Sequence, residues 1–279
     1  SFNEDAYTTD DRSVLASHLI NQPVDMALLA GTASDDANWL FVVNSDGTAT
    51  ILNTLRSQDI NGYTKWTTDG NIKSVCVVDE ELYISVEREV DGATLMYIER
   101  WDFTHKLDCS VKKTAAQIQI GAVTHLFNEQ VQIIVDDKGY VLPPRTVGAS
   151  NVISLDPGEV YAGDYEVGLL FTPTIKPMPL NTNIGSGQNQ MRLKKIVRMN
   201  VRVYESSGIT IDGVAVPIRA FGPSGDESPL SPESIVPTSG IIEDVYDING
   251  WSREIMPTIT CPDPTPMHIQ MIEYEVEGN

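Results

Sequence analysis

The sequence has few cysteines and no long apolar segment. Its cysteines, Cys76, Cys109 and Cys261, are odd in number and have no Cys-x-x-Cys spacing, which argues against a disulfide framework and a zinc-binding motif. We expect synthesis in a reducing compartment. No apolar run approaches the roughly 18–20 residues of a membrane-spanning helix, so no membrane span is expected. The acidic first residues also lack the basic start of an export signal.

Basic residues are scarce. The 279 residues include 19 Lys and Arg against 39 Asp and Glu, which gives a net charge of −20. This balance argues against a general DNA-binding surface, because neutralising phosphates requires an excess of cations. The hydrophobic fraction of 41% and the charged fraction of 21% are ordinary for a folded protein. The length accommodates one large all-β unit or two domains.

Motifs for catalysis and for nucleotide binding are missing. There is no G-x-S-x-G segment, no P-loop and no G-x-G-x-x-G segment after a strand. The histidines, His18, His105, His125 and His268, lie in different segments without metal-ligand spacing. Acidic pairs such as Asp136-Asp137 occupy turn positions, where solvated carboxylates are common. We therefore predict no enzyme activity, no catalytic residues, no cofactor and no metal site.

The region 24–105 consists of short apolar runs separated by turns, after a polar N-terminal segment at 1–23. Asp-Gly and Asn-Gly dipeptides between the runs supply the positive φ angles that tight hairpins need. The predicted strands are Val24–Ala30, Trp39–Val43, Ala49–Asn53, Tyr63–Thr67, Ile72–Val78, Leu82–Glu87 and Thr94–Trp101.

The order of runs and turns in this region repeats. The turns Asp46-Gly47 and Asp91-Gly92 are 45 residues apart, and the runs that begin at Val24 and Ile72 are 48 apart. This period, with three or four strands per unit, is typical of β-propeller blades. Two blades do not close a propeller. Either the interpretation fails, or the missing blades belong to a longer parent chain.

A different pattern follows. We interpret 106–117 as a linker, because it contains several lysines and no alternation. The remainder, 118–279, is rich in β-formers, and we predict an antiparallel barrel or sandwich that serves as a platform domain. Long loops are expected at 172–191 and 222–239, which are rich in Pro, Ser and Gly. The predicted fold is therefore all-β, with partial propeller blades followed by a barrel or sandwich.

The most unusual segment is basic. No acidic residue occurs between Glu166 and Glu205, and this interval carries a charge of +6, which leaves −26 on the rest of the chain. A helix is compatible with the apolar spacing, but the β-branched residues favour a strand. In a regular strand, one face would carry Leu193, Val197, Met199, Val201 and Val203, with Lys195 as the exception, and the other Arg192, Lys194, Arg198 and Arg202.

Two functions are open for this strand: a phosphate-binding stripe, or an intersubunit surface that meets acidic residues of a neighbouring copy. The excess of acid elsewhere in the chain favours the second. The candidate interface residues are Arg192, Lys194, Lys195, Arg198 and Arg202.

Several segments, in their order and spacing, resemble the tail nozzle proteins of short-tailed phages, the tail tubular protein B and tail hub family. The resemblance covers roughly 10–210. It rests on Trp39-Leu-Phe-Val-Val-Asn-Ser-Asp-Gly-Thr48, Trp66-Thr-Thr-Asp-Gly70, Glu81-Leu-Tyr-Ile-Ser-Val-Glu-Arg88, Tyr97-Ile-Glu-Arg-Trp-Asp102, Val131-Gln-Ile-Ile-Val-Asp136, Val167-Gly-Leu-Leu-Phe-Thr-Pro173 and Lys194-Lys-Ile-Val-Arg-Met-Asn-Val-Arg-Val-Tyr204.

The resemblance implies a structural virion protein of the tail, assembled in the host cytoplasm and without enzymatic activity. Such subunits form a hexameric ring that docks on the head–tail adaptor ring, carries fibres or spikes, and conducts the genome during ejection. DNA would pass through without tight binding. The resemblance also implies that the chain is the C-terminal part of a longer protein.

A second class of function is open: a stand-alone β-propeller that binds carbohydrate, or a glycosidase. Such a protein would need a tryptophan in a sugar-binding cleft. We expect instead that Trp39, Trp66 and Trp101 belong to the cores of the blades.

Overall fold

The computed structural model describes residues 13, 16–31, 38–55, 60–114, 118–135, 140–160, 163–180, 193–216, 237–243, 245 and 250–278. These residues form an all-β protein of antiparallel sheets, as predicted, with only single turns of 3-10 helix. The chain divides into two compact units, Ser1–Thr104 and His105–Asn279. None of the described helices is long and apolar enough to span a membrane.

The first unit contains two antiparallel meanders. Their strands are β1 (Pro23–Leu29), β2 (Asn38–Asn44), β3 (Ala49–Leu55), β4 (Ile60–Trp66), β5 (Asn71–Val78), β6 (Glu81–Val90) and β7 (Ala93–Arg100). They form one sheet in the order β1-β2-β3-β4 and a second in the order β5-β6-β7. Each predicted strand of 24–105 is found, and Asp91 and Gly92, both with positive φ, form the predicted hairpin turn.

The two meanders pack face to face through a shared core. Phe41, Val43 and Ile51 of the first sheet meet Ile72, Leu82 and Ile84 of the second, all buried. The first strands of the two sheets, β1 and β5, lie close together, and the Asp25 carboxylate accepts the Val75 N–H at 3.0 Å. Meanders that stack with their first strands side by side are the arrangement of neighbouring propeller blades.

Tryptophans surround this core, as predicted. The Trp101 ring stands edge-on to the Phe41 ring, with 4.7 Å between ring centroids. The centroids of the Trp66 and Trp39 rings lie 6.0 and 5.7 Å from that of Trp101. Edge-to-face contacts of this kind add to the free energy gained by burying the rings. The three side chains therefore pack against one another and the core.

A buried ion pair supports the second meander. The Arg88 side chain is only 1% exposed and donates to Glu99 at 2.6 and 2.8 Å. Its Nη1 donates to the Asp69 carbonyl at 2.6 Å, and Nη2, which also donates to Glu99, donates to Thr68 Oγ1 at 2.7 Å. Each of these contacts reduces the cost of removing the guanidinium from water.

The described residues of the second unit form four sheets. Its strands are β8 (Asp108–Thr114), β9 (Gln119–Ile120), β10 (Gln130–Val135), β11 (Tyr140–Thr146), β12 (Ile153–Ser154), β13 (Asp164–Leu169), β14 (Thr174–Ile175), β15 (Lys194–Ser206), β16 (Thr210–Ile211), β17 (Val214–Ala215), β18 (Thr238–Ile242), β19 (Ile259–Thr260) and β20 (Ile269–Gly278). The sheet orders are β11-β10-β13-β8, β12-β9, β14-β19-β16-β17 and β18-β15-β20.

Four predictions for this region need correction or fall partly outside the described residues. The linker interpretation of 106–117 is wrong, because Asp108–Thr114 form strand β8, which pairs with β13. The barrel alternative is wrong for the described residues, whose sheets all have open ends. The loop predicted at 172–191 contains the short strand β14, and 181–191 lie outside the described residues. Of the loop predicted at 222–239, 222–236 lie outside them too, and Thr238 begins β18.

The second unit has two hydrophobic cores. One lies on the sheet of β8, β10, β11 and β13 and includes Tyr165, Val167 and Leu126. The other lies under the inner face of the β18-β15-β20 sheet and includes Met199, Val201 and Val203, with Ile272 and Tyr274 packed against it.

Replacing Tyr274 with Phe should leave stability at neutral pH unchanged or slightly raised. The Tyr274 hydroxyl is buried without a hydrogen-bond partner. Removing it removes the free-energy cost of taking a polar group out of water without a new hydrogen bond. Burial also raises the pKa of Tyr274. The native protein therefore resists ionisation more than the unfolded chain, and it loses stability as the pH rises above about 10.

The Phe variant should lose less stability over that alkaline range. Urea unfolding at pH 7 and at pH 10–11 measures both effects. A clear loss of stability in the Phe variant at neutral pH would show that the Tyr274 hydroxyl does have a hydrogen-bond partner.

Candidate interaction surface

The predicted interface residues lie on β15, the longest strand of the second unit. Strand β15 pairs along its length with β20, and β18 pairs with its C-terminal half. The inner face of the sheet is buried in the core. The outer face, which we call the charged face, is formed by Lys195, Val197, Arg198, Arg202, Tyr204, Ile241, Met271, Glu273, Glu275 and Glu277.

A β-bulge changes the phase of β15. Ile196 pairs with Val276 and Arg198 with Glu275, so Val197 is an extra residue on this strand. Before the bulge, Lys194 and Ile196 face inward; after it, Met199 and Val201 do. The predicted alternation is therefore correct after the bulge and wrong before it.

Lys194 does not lie on the charged face. Its side chain is 1% exposed, and its Nζ donates to the Leu180 carbonyl. Its backbone N–H and carbonyl pair with Ser252 at 2.8 and 2.9 Å. The prediction that Lys194 shares a face with Arg198 and Arg202 is wrong, because the bulge lies between them. Arg192 lies outside the described residues.

The other three predicted residues belong to the charged face. Lys195 is half-buried and faces Glu277 in register, while Arg198 and Arg202 are exposed. Arg198 Nε lies 3.9 Å from Glu275 Oε2, and both side chains are more than half exposed. Such a pair contributes little to stability on its own.

The acidic partners of β15 belong to the same chain. From the sequence we predict that acidic residues of a neighbouring copy balance the basic strand. In the structure, Glu275 and Glu277 of β20 already lie beside Arg198 and Lys195 in one sheet. The alternation of Glu273, Glu275 and Glu277 with apolar residues was visible in the sequence as a strand with one acidic face. The sequence did not show that β20 pairs with β15.

The second unit also contains a buried carboxylate, on a strand that belongs to a different sheet. Glu166 is fully buried on β13, and its Oε1 accepts the N–H groups of Lys106 and Leu107 at 2.7 and 2.8 Å and the Ser110 hydroxyl at 3.1 Å. Its Oε2 has no partner. His105 Nδ1 lies 2.6 Å from Ser110 Oγ. We call these groups the Glu166 cluster.

The Glu166 cluster holds a loop. The Ser110 hydroxyl lies between Glu166 Oε1 at 3.1 Å and His105 Nδ1 at 2.6 Å, and the carboxylate can only accept a hydrogen bond. In the sequence, His105 and Ser110 lie far from Glu166, and no motif connects them. A Cβ on Gly168 would lie 2.6 Å from the Ser110 Cβ, which explains the glycine opposite this loop.

A polar cleft lies on the first unit. It encloses about 280 Å3 and is lined by His18, Asn21, Asp46, Thr48 and Lys65, among others. Hydrogen bonds from the Thr48 hydroxyl and N–H lower the pKa of Asp46, so the cleft keeps a carboxylate. No tryptophan lines it, so it lacks the platform that the carbohydrate-binding alternative requires.

The described residues contain no group of three or more His, Cys, Asp or Glu side chains suited to hold a metal ion. Comparisons with protein-family models and with curated proteins find no match to the chain.

Proposed function

We propose that the chain is a structural subunit of the tail nozzle of a short-tailed phage, and that it acts by assembly and not by catalysis. In this proposal the subunit joins a hexameric ring that docks on the head–tail adaptor and carries a fibre or spike. It is located in the virion tail after assembly in the host cytoplasm, and the genome passes it without tight binding.

One structural observation carries the proposal beyond the sequence resemblance. The first unit consists of two consecutive meanders that stack as blades do, at the positions where the resemblance is densest. The outward face of the first meander has an exposed apolar row, Val24, Met26 and Leu28. A further blade would cover this row. The pair is therefore suited to be part of a larger β assembly.

The electrostatics of the chain support the passage of DNA. The net charge of −20 disfavours tight contact with phosphates. The bases of the charged face have acidic neighbours on β20, so they do not form a continuous cationic groove. A conduit for the genome requires weak contact of this kind, because tight binding would slow ejection.

Antibodies raised against the purified chain should test the location. In a lysate of the source culture, they should label one end of short-tailed particles in electron microscopy, and the chain should sediment with those particles. Pre-immune serum is the control. Label over the whole capsid, or a chain found only among free proteins, would contradict the proposal. Saturable binding on a glycan array would favour the carbohydrate-binding alternative.

A further inference from the structure

The charged face carries its opposite charges in two parallel rows. Strand β15 supplies the basic row, Lys195, Arg198 and Arg202, and strand β20 supplies the acidic row, Glu273, Glu275 and Glu277. The rows face each other in two register pairs, Arg198 with Glu275 and Lys195 with Glu277, while Arg202 pairs with Met271 and Glu273 with Asn200. The rows lie about 5 Å apart, which is the spacing between neighbouring strands.

Two parallel rows of opposite charge make a surface complementary to itself. A two-fold axis in the plane of the contact, parallel to the strands and midway between the rows, exchanges left and right but leaves the position along the strand unchanged. It therefore places the basic row of one copy over the acidic row of the other. Arg198 of each copy then faces Glu275 of the partner subunit, and Lys195 faces Glu277 of the partner subunit.

The uncharged residues of the face suit the same contact. Val197, Tyr204, Ile241 and Met271 are 51%, 46%, 51% and 38% exposed. Tyr, Met and Arg are the residue types that are enriched in the interfaces of proteins. Two sheets of this kind pack with their strands within about 30° of parallel, which keeps the rows aligned.

We propose that the charged face binds a second copy of this chain across such a two-fold axis. This contact goes beyond the proposed function, because a ring built from head-to-tail contacts uses two different surfaces and does not require it. The contact pairs two free copies, or copies that belong to two facing rings. Each Arg198 then lies between its own Glu275 and that of the partner, so the charges form an alternating cluster instead of isolated exposed pairs.

A charge-reversal mixing experiment tests the contact by sedimentation equilibrium of the full chain. The variant Arg198→Glu/Arg202→Glu makes both rows acidic, and Glu273→Arg/Glu275→Arg makes both rows basic. Each should self-associate at least about tenfold more weakly than wild type. An equimolar mixture of the two should recover association to about the wild-type level. Wild-type association should weaken at about 1 M salt, where the Debye length is about 3 Å.

The matched control is Lys65→Glu/Lys176→Glu, which makes the same change in net charge at exposed lysines that are not part of the charged face and should associate like wild type. Circular dichroism checks that each variant folds. If a reversed variant does not fold, the neutral pair Arg198→Gln/Arg202→Gln and Glu273→Gln/Glu275→Gln replaces it. Each neutral variant should associate more weakly, and their mixture should recover association in part, because in the mixed pair one acidic row still faces one basic row.

A wild-type chain that stays monomeric at all concentrations at low salt would overturn the proposal. Association that the reversed variants leave unchanged, or that their mixture does not restore, would overturn it as well. None of these results bears on labelling of the virion tail, so this contact and the proposed function can fail separately.

Discussion

Replacing Glu99 with Gln should lower the free energy of unfolding of the first unit by about 3–5 kcal/mol, because it leaves the charge of Arg88 buried without its counter-ion. Arg88 is 1% exposed, and both Glu99 oxygens accept from its guanidinium. Its contacts to the Asp69 carbonyl and to Thr68 are dipolar and cannot replace a full negative charge. Urea unfolding followed by tryptophan fluorescence measures the loss, since Trp66 and Trp101 pack against this core.

The matched control is Glu81→Gln. Glu81 also pairs with an arginine in the same sheet, Arg100 at 2.9 Å, but these side chains are 44% and 49% exposed. Its loss should cost about 0–1 kcal/mol. Equal losses in the two variants would show that burial does not decide the worth of the Arg88–Glu99 pair.

Replacing Glu166 with Ala should destabilise the second unit by about 3 kcal/mol or more. The substitution leaves three donors without their acceptor: the N–H groups of Lys106 and Leu107, and the Ser110 hydroxyl. Each buried donor that loses its partner costs about 1–3 kcal/mol. Hydrogen exchange at the amides of Lys106 and Leu107 should accelerate in the variant more than exchange within β15, which belongs to another sheet.

Ser110→Ala is the control for this cluster. It removes one donor and leaves Glu166 with its two backbone partners, so we expect a loss of only about 1 kcal/mol. In thermal and urea unfolding, Glu166→Ala should be clearly less stable than Ser110→Ala. If the two variants were equally stable, the carboxylate would not be the group that holds the loop.

The first unit could be predicted well from the sequence because its signals are local. Short strands with alternating apolar residues, joined by turns such as Asp91-Gly92, determine a meander without any information about distant residues. Not every signal was correct: Asn61-Gly62, which the sequence predicts as a turn, lies within β4. Another turn forms without such a signal. Asp79 and Glu80 adopt positive φ between β5 and β6 without a glycine.

The second unit was harder to predict because its pairings are distant in sequence. Strand β8 lies in what resembled a linker, and its partner β13 begins about 50 residues later, at Asp164. The Glu166 cluster depends on that pairing, so the sequence could not bring His105 and Ser110 to Glu166. Likewise, the basic segment was recognised as a strand, but its acidic partner β20 lies more than 60 residues away.

The bulge in β15 has a consequence for insertions and deletions. Since Val197 is the extra residue, removing it would leave a regular strand in which Ile196 and Met199 still face the core and Arg198 still faces out. A deletion at Asn200 would instead turn half of the strand over, because alternation has a period of two. Among the positions between Lys194 and Val203, Val197 is thus where the length of the strand can change without altering which side chains meet solvent.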